Sequence, residues 1–309
     1  MAETEVEVGR SSVGMIGLGN MGGAIADRLL DAGVTLHVRD ADPGVAARLV
    51  RRGATAHGSA RDVADAAVVV IGCLPTMKAA RSVIDGPGGI CNGNGIRFYV
   101  EMATVGASHI QDVAVLLAQH GVKTLDAPVS GGAAAARGGS LTIMAGGRRD
   151  VLEAVLPVLQ VITGTIIPIG EHVGDGQTMK LINNLLAAAN MATAFEALVL
   201  GTRLGLSPAL MADVISRSSG ASTGFTTRRV DAIRSRRFDN GGHIGLLAKD
   251  IALAFEQVRQ LGIIPDALPS LSGMSALWAT AMEQGMGTQD VTALVRVVEE
   301  RLGIEVHEA

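Results

Sequence analysis

Aromatic side chains are nearly absent: five Phe, one Tyr and one Trp in 309 residues. Nucleic-acid binders need a basic face and often aromatic stacking platforms. With a formal net charge of −4 this chain has neither, so no nucleic-acid partner is expected. Cysteine is as scarce. Cys73 and Cys91 are the only two, which make neither a disulfide framework nor a metal-site spacing. Cys73 closes an apolar run and reads as a small core filler. The seven histidines are scattered without a His-x-x-x-His pair, so no metal is expected. No apolar run approaches a membrane span. The opening stretch, MAETEVEVGRSS, is acidic and polar and lacks a secretory core. A cytoplasmic protein with a loose tail over residues 1–11 is expected.

What is abundant is apolar: 48% of the chain is hydrophobic, with twelve methionines suited to adaptable packing. The length fits two domains. In the first half strand-like and helical stretches alternate. Strand-like runs lie at 12–16, 34–38, 68–73, 98–101, 123–127, 141–145 and 165–169, with helical patterns at 24–31, 45–52, 60–66 and 107–120. Continuous apolar strands suit a parallel sheet covered on both faces. Beyond Gly174 the strand signals stop. Helices are expected at 177–204, 208–218, 226–235, 246–261, 267–283 and 288–302. The fold class is therefore α/β, an N-terminal domain over 1–173 followed by an all-α domain over 174–309, with a long helix between them.

Gly17-Leu18-Gly19-Asn20-Met21-Gly22 stands between the first strand-like run and the first helical pattern. In a G-x-G-x-x-G turn the first glycine permits the bend, the second lets backbone meet a pyrophosphate, and the third lets helix and strand pack closely. The helix start adds N–H groups and positive potential. Asp40 follows the second strand, where an acid would grip the adenosine ribose hydroxyls of NAD and repel a 2′-phosphate. Arg39 beside it is the kind of residue that serves NADP. NAD is favoured, with NADP the alternative; an ordinary surface turn with two charges is the bland account. Leu74-Pro75-Thr76 lies at a C-terminal strand edge, where open α/β sheets bind ligands. Thr104 is either a second edge contact or a cap for the segment after it.

The run Asp126 to Gly132, DAPVSGG, ends in Ser130-Gly131-Gly132, a backbone nest carrying a hydroxyl and suited to a carboxylate. A simple glycine turn is the bland alternative. Gly174–Asn184, GDGQTMKLINN, then opens the long helix, with Asp175 expected as its N-cap. Up to about Thr202 its residues are mostly apolar, Lys180 being the only cation and Glu196 the only anion. A helix apolar on most of its circumference is buried, so Lys180 is a lysine where lysines are rare. Asn183 and Asn184 share its face by helical spacing. A desolvated lysine has a lowered pKa and can shuttle a proton; a lysine that snorkels to the surface is the alternative. Arg228, Arg229, Arg234, Arg236 and Arg237 form a basic cluster, read as a solvated face or a subunit rim, with an anion site as the outside alternative.

The chain resembles the β-hydroxyacid dehydrogenases, the group containing 3-hydroxyisobutyrate dehydrogenase, tartronate semialdehyde reductase and the glyoxylate/succinic semialdehyde reductases. Four motifs carry the resemblance in order: GLGNMG at Gly17–Gly22, DAPVSGG at Asp126–Gly132, GDGQTMKLINN at Gly174–Asn184, and Lys249-Asp250. The resemblance implies a doubly wound Rossmann-type domain, a long interdomain helix, an all-α domain and a homodimer or homotetramer. It implies Lys180 as the catalytic lysine, Ser130, Gly131 and Gly132 on the substrate carboxylate, and Asn184 orienting the substrate. Leu74, Pro75 and Thr104 would line the cofactor, with Lys249 reaching it from the second domain. The implied reaction is hydride transfer between a nicotinamide and a small 3-hydroxy acid. Rival readings are a semialdehyde reductase, an imine reductase, whose relatives generally carry another residue at the lysine position, and a cofactor-binding scaffold without turnover. The chain departs from the family pattern at Ala103-Thr104, usually Ser-Thr, at Ala107, usually Pro, and at Gly241-Gly242-His243-Ile244. Many relatives place a phenylalanine in that last segment, which here is about one residue shorter. His243 is either a loop residue or a contact to a more polar substrate.

Overall fold

The protein is described here as a computed structural model covering residues 11–307; nearly all of the tail expected at 1–11 lies outside that range. The chain forms two compact units, Met1–Lys180 and Leu181–Ala309.

The first unit is a nine-stranded sheet flanked by helices. In order come β1 (Val13–Ile16), α1 (Asn20–Asp31), β2 (Leu36–Arg39), α2 (Pro43–Val50), β3 (Thr55–Ala56), α3 (Ala60–Ala66), β4 (Val69–Gly72) and α4 (Met77–Asp85). Then follow β5 (Phe98–Glu101), α5 (Ala107–Gln119), β6 (Lys123–Asp126), β7 (Val129–Ser130), α6 (Gly132–Arg137), β8 (Leu141–Gly146), α7 (Arg149–Ile162) and β9 (Thr163–Gly170). The strand order is β3-β2-β1-β4-β5-β6-β8-β7, with β9 on β8. From β3 to β6 every pairing is parallel; β8 runs antiparallel to β6 and β7, and parallel to β9.

β1, β4 and β5 are buried at every residue, because apolar clusters cover both faces of the sheet. One contains Ile25, Leu29, Val155 and Leu159; the other contains Val63, Ile84, Ile110 and Leu117. The helices that supply these faces start on local signals. Asp42 accepts from Gly44 N ahead of Pro43, Ser59 and Asp62 form a reciprocal capping box, and Thr76 accepts from Ala79 N. At the end of β5, Tyr99 donates to Glu101 Oε2 at 2.7 Å, and both side chains are buried. The tyrosine hydroxyl fills the place a Cβ would take at Gly72, 2.1 Å from it.

Two helices longer than two turns have no counterpart in the sequence reading, α4 and α7. α7 carries Pro157 in its interior, a residue that reads as a breaker, yet Val151, Val155, Val158, Leu159 and Ile162 give it a continuous buried stripe.

Within the second unit the elements are helical: the later part of α8 (Asp175–Arg203), then α9 (Pro208–Ser216), α10 (Thr227–Arg234), α11 (Ile244–Gln260), α12 (Pro269–Glu283) and α13 (Val295–Leu302). The stretch expected as helix from 288 opens instead with a 3-10 turn at Val291–Leu294, capped by Asp290. The core gathers Leu181, Leu185, Phe195 and Val199 from α8 around Trp278. α8 is long and apolar enough to cross a membrane by length and composition, which corrects the expectation that no run approaches that length. It is not buried all round either. Ile182, Leu186 and Leu200 are 55%, 61% and 51% exposed, because the core engages only one side of the helix.

Candidate active site

The C-terminal ends of the parallel strands collect the expected nucleotide-binding residues of the first unit around the switch point, where β1 lies between β2 and β4. The glycine loop follows β1, Asp40 follows β2, Leu74 and Pro75 follow β4, and Thr104 follows β5. The three glycines behave differently. Gly17 has φ +90°, and a Cβ there would meet Cys73 O at 2.4 Å. A Cβ at Gly22 would lie 1.9 Å from Gly17 O, so the helix packs onto the loop only without one. A Cβ at Gly19 would meet nothing within 4 Å. The loop is therefore closed on its protein side and open at Gly19, where α1 begins without a side-chain cap. A helix start without a side-chain cap, beside open space, fits the pyrophosphate of a dinucleotide.

Asp40 ties this loop down. Leu18 N donates to its Oδ2 at 2.6 Å and Asp42 N to its Oδ1 at 2.9 Å. Each carboxylate oxygen keeps further acceptor capacity for a ribose hydroxyl. Beside it lies a cavity of about 640 Å³ lined by Pro43, Ala47 and Val50, with Arg39, Arg51 and His57 also on its wall. Apolar side chains suit an adenine, and the basic ones keep a 2′-phosphate compatible. NAD is thus the favoured dinucleotide, with NADP also accommodated.

Ser130 ends β7, and Gly131 and Gly132 follow at φ +128° and +76°, conformations that favour glycine. Gly131 and Gly132 are exposed and Ser130 is half-buried. Lys180 is half-buried on α8, six residues into that helix's sequence numbering from Gly174.

The start of α8 departs from expectation. Asp175 is not the cap: it lies inside the first turn, and its Oδ2 accepts from His172 N at 3.0 Å. The cap is Asp126, at the end of β6. Its Oδ1 accepts from Gly174 N at 2.9 Å and its Oδ2 from Gln177 N at 2.7 Å. The Asp126 side chain is fully buried, and burial pushes its carboxyl up to about 6, against the opposing pull of those two N–H groups and with help from Asp175 nearby. Gln177, also fully buried, accepts at Oε1 from Val105 N (2.9 Å) and Gly106 N (3.1 Å), and donates to Ala103 O (3.0 Å). Glu101 Oε1 accepts from Ala103 N at 2.9 Å. α5 is capped at Gly106 with no side-chain bond, so Thr104 is not its cap. Sequence reasoning missed Glu101, Asp126 and Gln177. The available signal was that Glu101 and Asp126 each end a buried apolar strand, where an acid needs partners.

In the second unit, Asn183 donates to Asn184 Oδ1 at 3.1 Å, and Asn184 donates to Asp250 Oδ2 at 2.6 Å. Lys249 Nζ faces Asp250 Oδ1 at 3.1 Å. Asn184 and Lys249 are thus joined through one nearly buried carboxylate. His243 is exposed and precedes α11. Four of the five clustered arginines are paired, Arg228 with Asn240 O, Arg234 with Asp231, Arg236 with Glu299 and Arg237 with Asp239, whereas Arg229 Nε is buried with no hydrogen-bond partner among the described residues.

Residues 12–170 match the family model for the NAD-binding domain of 6-phosphogluconate dehydrogenase. Residues 174–298 match the model described as NAD-binding of NADP-dependent 3-hydroxyisobutyrate dehydrogenase. The chain is 36% identical over 297 residues to the 2-(hydroxymethyl)glutarate dehydrogenase of Eubacterium barkeri, covering 95% of this chain and 97% of that protein. It is 32% identical over 299 residues to the 3-hydroxyisobutyrate dehydrogenase of Pseudomonas aeruginosa, covering 93% and 99%. The structure of Mycobacterium tuberculosis 3-hydroxyisobutyrate dehydrogenase with L-serine is similar at a TM-score of 0.81 and 28% identity, covering 93% and 99%.

Proposed function

We infer the reaction from one premise: the chain belongs to the β-hydroxyacid dehydrogenases, the family of 3-hydroxyisobutyrate dehydrogenase. It is an NAD(P)-dependent oxidoreductase acting on CH–OH groups. A nicotinamide dinucleotide held here would supply the hydride-transfer chemistry. The chain's own residues bind, orient and move a proton. The loop Gly17-Leu18-Gly19-Asn20-Met21-Gly22 holds the pyrophosphate and Asp40 the adenosine ribose. Leu74, Pro75 and Thr104 would line the strand edge beside the dinucleotide.

The substrate is a small 3-hydroxy acid. Ser130 and the N–H groups of Gly131 and Gly132 hold its carboxylate, which aims the hydroxyl-bearing carbon. Positioning of this kind contributes several kcal/mol, roughly 7 or more at best. Lys180 takes the hydroxyl proton in oxidation and gives it back in reduction, with Asn184 orienting the substrate. Reduction of a semialdehyde is the same reaction run backwards with the same groups. Imine reduction is disfavoured by the lysine itself. The observation that carries this reading is Lys180, half-buried on α8 and one turn beyond a helix start fixed inside the nucleotide-holding unit.

A homodimer or homotetramer completes the reading, supported by the exposed apolar stripe of Ile182, Leu186 and Leu200. The two free thiols, Cys73 and Cys91, fit a reducing, cytoplasmic compartment. The test is Lys180→Ala, with NADH binding followed by fluorescence and turnover measured on a panel of hydroxy acids and semialdehydes. Dinucleotide binding should stay nearly intact while most turnover disappears; unchanged turnover refutes the assignment.

A further inference from the structure

We infer that Gln177 is a positioning residue for the reaction: its side chain locks the loop after β5, which carries Thr104, to the first turn of α8, which leads into Lys180. The inference rests on the reading of Lys180 as the proton carrier.

Three backbone groups of the loop end on this one amide. Val105 N and Gly106 N both donate to Oε1, and Ala103 O accepts from Nε2. The backbone N–H of the same residue donates to Asp126 Oδ2, so Gln177 joins the ends of two adjacent parallel strands, β5 and β6, to one helix turn. Nothing in this junction has slack. A Cβ at Gly176 would lie 2.4 Å from Met144 O and 2.8 Å from Asp126 Oδ2, and one at Gly146 would lie 2.4 Å from Asp126 Oδ1. The helix start is thus pressed against β8 and the Asp126 carboxylate, with glycines at the touching points. From Glu101 through the backbone of half-buried Ala103 to Gln177 and Asp126, consecutive hydrogen bonds link three polar residues, Glu101, Gln177 and Asp126, each within 1% of full burial. A buried network that is fully satisfied is rigid. Lys180 follows Gln177 by three residues, so the amine's place on the helix inherits the place of the loop.

A chain of this kind matters to hydride transfer because donor, acceptor and proton carrier must meet in one geometry. A misplacement of about 1 Å far from the reacting atoms can cost roughly a hundredfold in rate. Gln177 touches neither substrate nor dinucleotide in this account; it acts through Thr104 and Lys180.

The test uses the full chain. Gln177→Met keeps the length of the side chain and removes its polar atoms. In the dinucleotide-free protein, amide exchange at Val105 and Gly106 should accelerate by about tenfold or more, since both N–H groups lose their acceptor. With substrate, kcat should fall by roughly ten- to a hundredfold, while the NADH dissociation constant changes by less than about threefold, a difference near RT. Gln177→Glu supplies a second readout. When protonated, the introduced carboxyl keeps one acceptor and one donor and should restore reductive turnover at acidic pH; when ionised it loses the donation to Ala103 O and turnover should fall. Gln177→Glu alone carries the test if Gln177→Met does not fold. Parental exchange at Val105 and Gly106, or a Gln177→Glu profile parallel to the parent's, overturns the inference and leaves the lysine assignment standing. Full turnover in Lys180→Ala with parental exchange at those amides overturns the lysine assignment, and with it the positioning role, while the Gln177 junction itself stays intact.

Discussion

Raising the pH should weaken the first unit through one carboxyl, Asp126. Its folded value is about 6 against an ordinary 3.8, a difference worth roughly 3 kcal/mol. Burial is the main cause, so the native state holds the proton more tightly than the unfolded chain does. Between those two values the folded protein carries more protons, and stability must fall as pH rises. The contribution is complete below about pH 3.8 and is lost as pH climbs through about 6. Asp126→Asn removes the titration. It also replaces one accepting oxygen with a donor, leaving Gly174 N or Gln177 N unpartnered at a cost of roughly 1–3 kcal/mol. The variant should therefore be weaker than the parent at acidic pH by roughly 1–3 kcal/mol, and a relative change of roughly 3 kcal/mol should close or reverse that gap by neutral pH. Urea denaturation of both proteins across this range, followed by circular dichroism, measures the gap. Amide exchange in β6 assigns it to the first unit. Other titrating groups, including the nearby Asp175, are shared by both proteins and largely cancel. Parallel curves with a constant gap refute the argument, because they mean that Asp126 does not change its proton on unfolding.

Glycines of the nucleotide loop should separate binding from folding. Gly19→Ala adds a Cβ in open space and should leave thermal stability unchanged while weakening NADH binding. Gly22→Ala drives a Cβ to 1.9 Å from Gly17 O and should destabilise the fold by roughly 1–3 kcal/mol; equal stability losses in the two variants contradict the division of labour. The parent should use NAD better than NADP in side-by-side kinetics. A preference for NADP of about tenfold or more, near 1.4 kcal/mol, would mean that Arg39, Arg51 and His57 outweigh Asp40.

The parts of the molecule that were legible in sequence are those whose causes are local. The glycine loop between β1 and α1, the buried strands β4 and β5, and α3 with its Ser59–Asp62 capping box are each specified within a dozen residues. The start of α8 is not. A local rule assigns Asp175 as its cap, whereas the partner that takes the N–H groups is Asp126, separated by 48 residues from Gly174 and 51 from Gln177. The carboxylate of Asp175 is drawn to His172 N instead. Thr104 was open between a cap and an edge contact for the same reason, since the N-cap residue of α5 is Gly106 and the N–H groups ahead of the helix meet Gln177, far away in sequence. α7 was hidden by Pro157, whose local meaning is overridden by five buried apolar residues. The partial exposure of α8 was illegible because apolar residues lie on all its sides, and periodicity then gives no direction.

The hydroxyl of Tyr99 occupies the volume of a missing side chain at Gly72 and is pinned there by Glu101. Positions 72 and 99 therefore cannot drift independently. An alanine or serine at the end of β4 becomes tolerable only after the tyrosine on the neighbouring strand has given way to a smaller or shorter residue. Losing that tyrosine in turn strips the buried acid of a donor. Across descendants of this chain these three positions should change as a set or not at all.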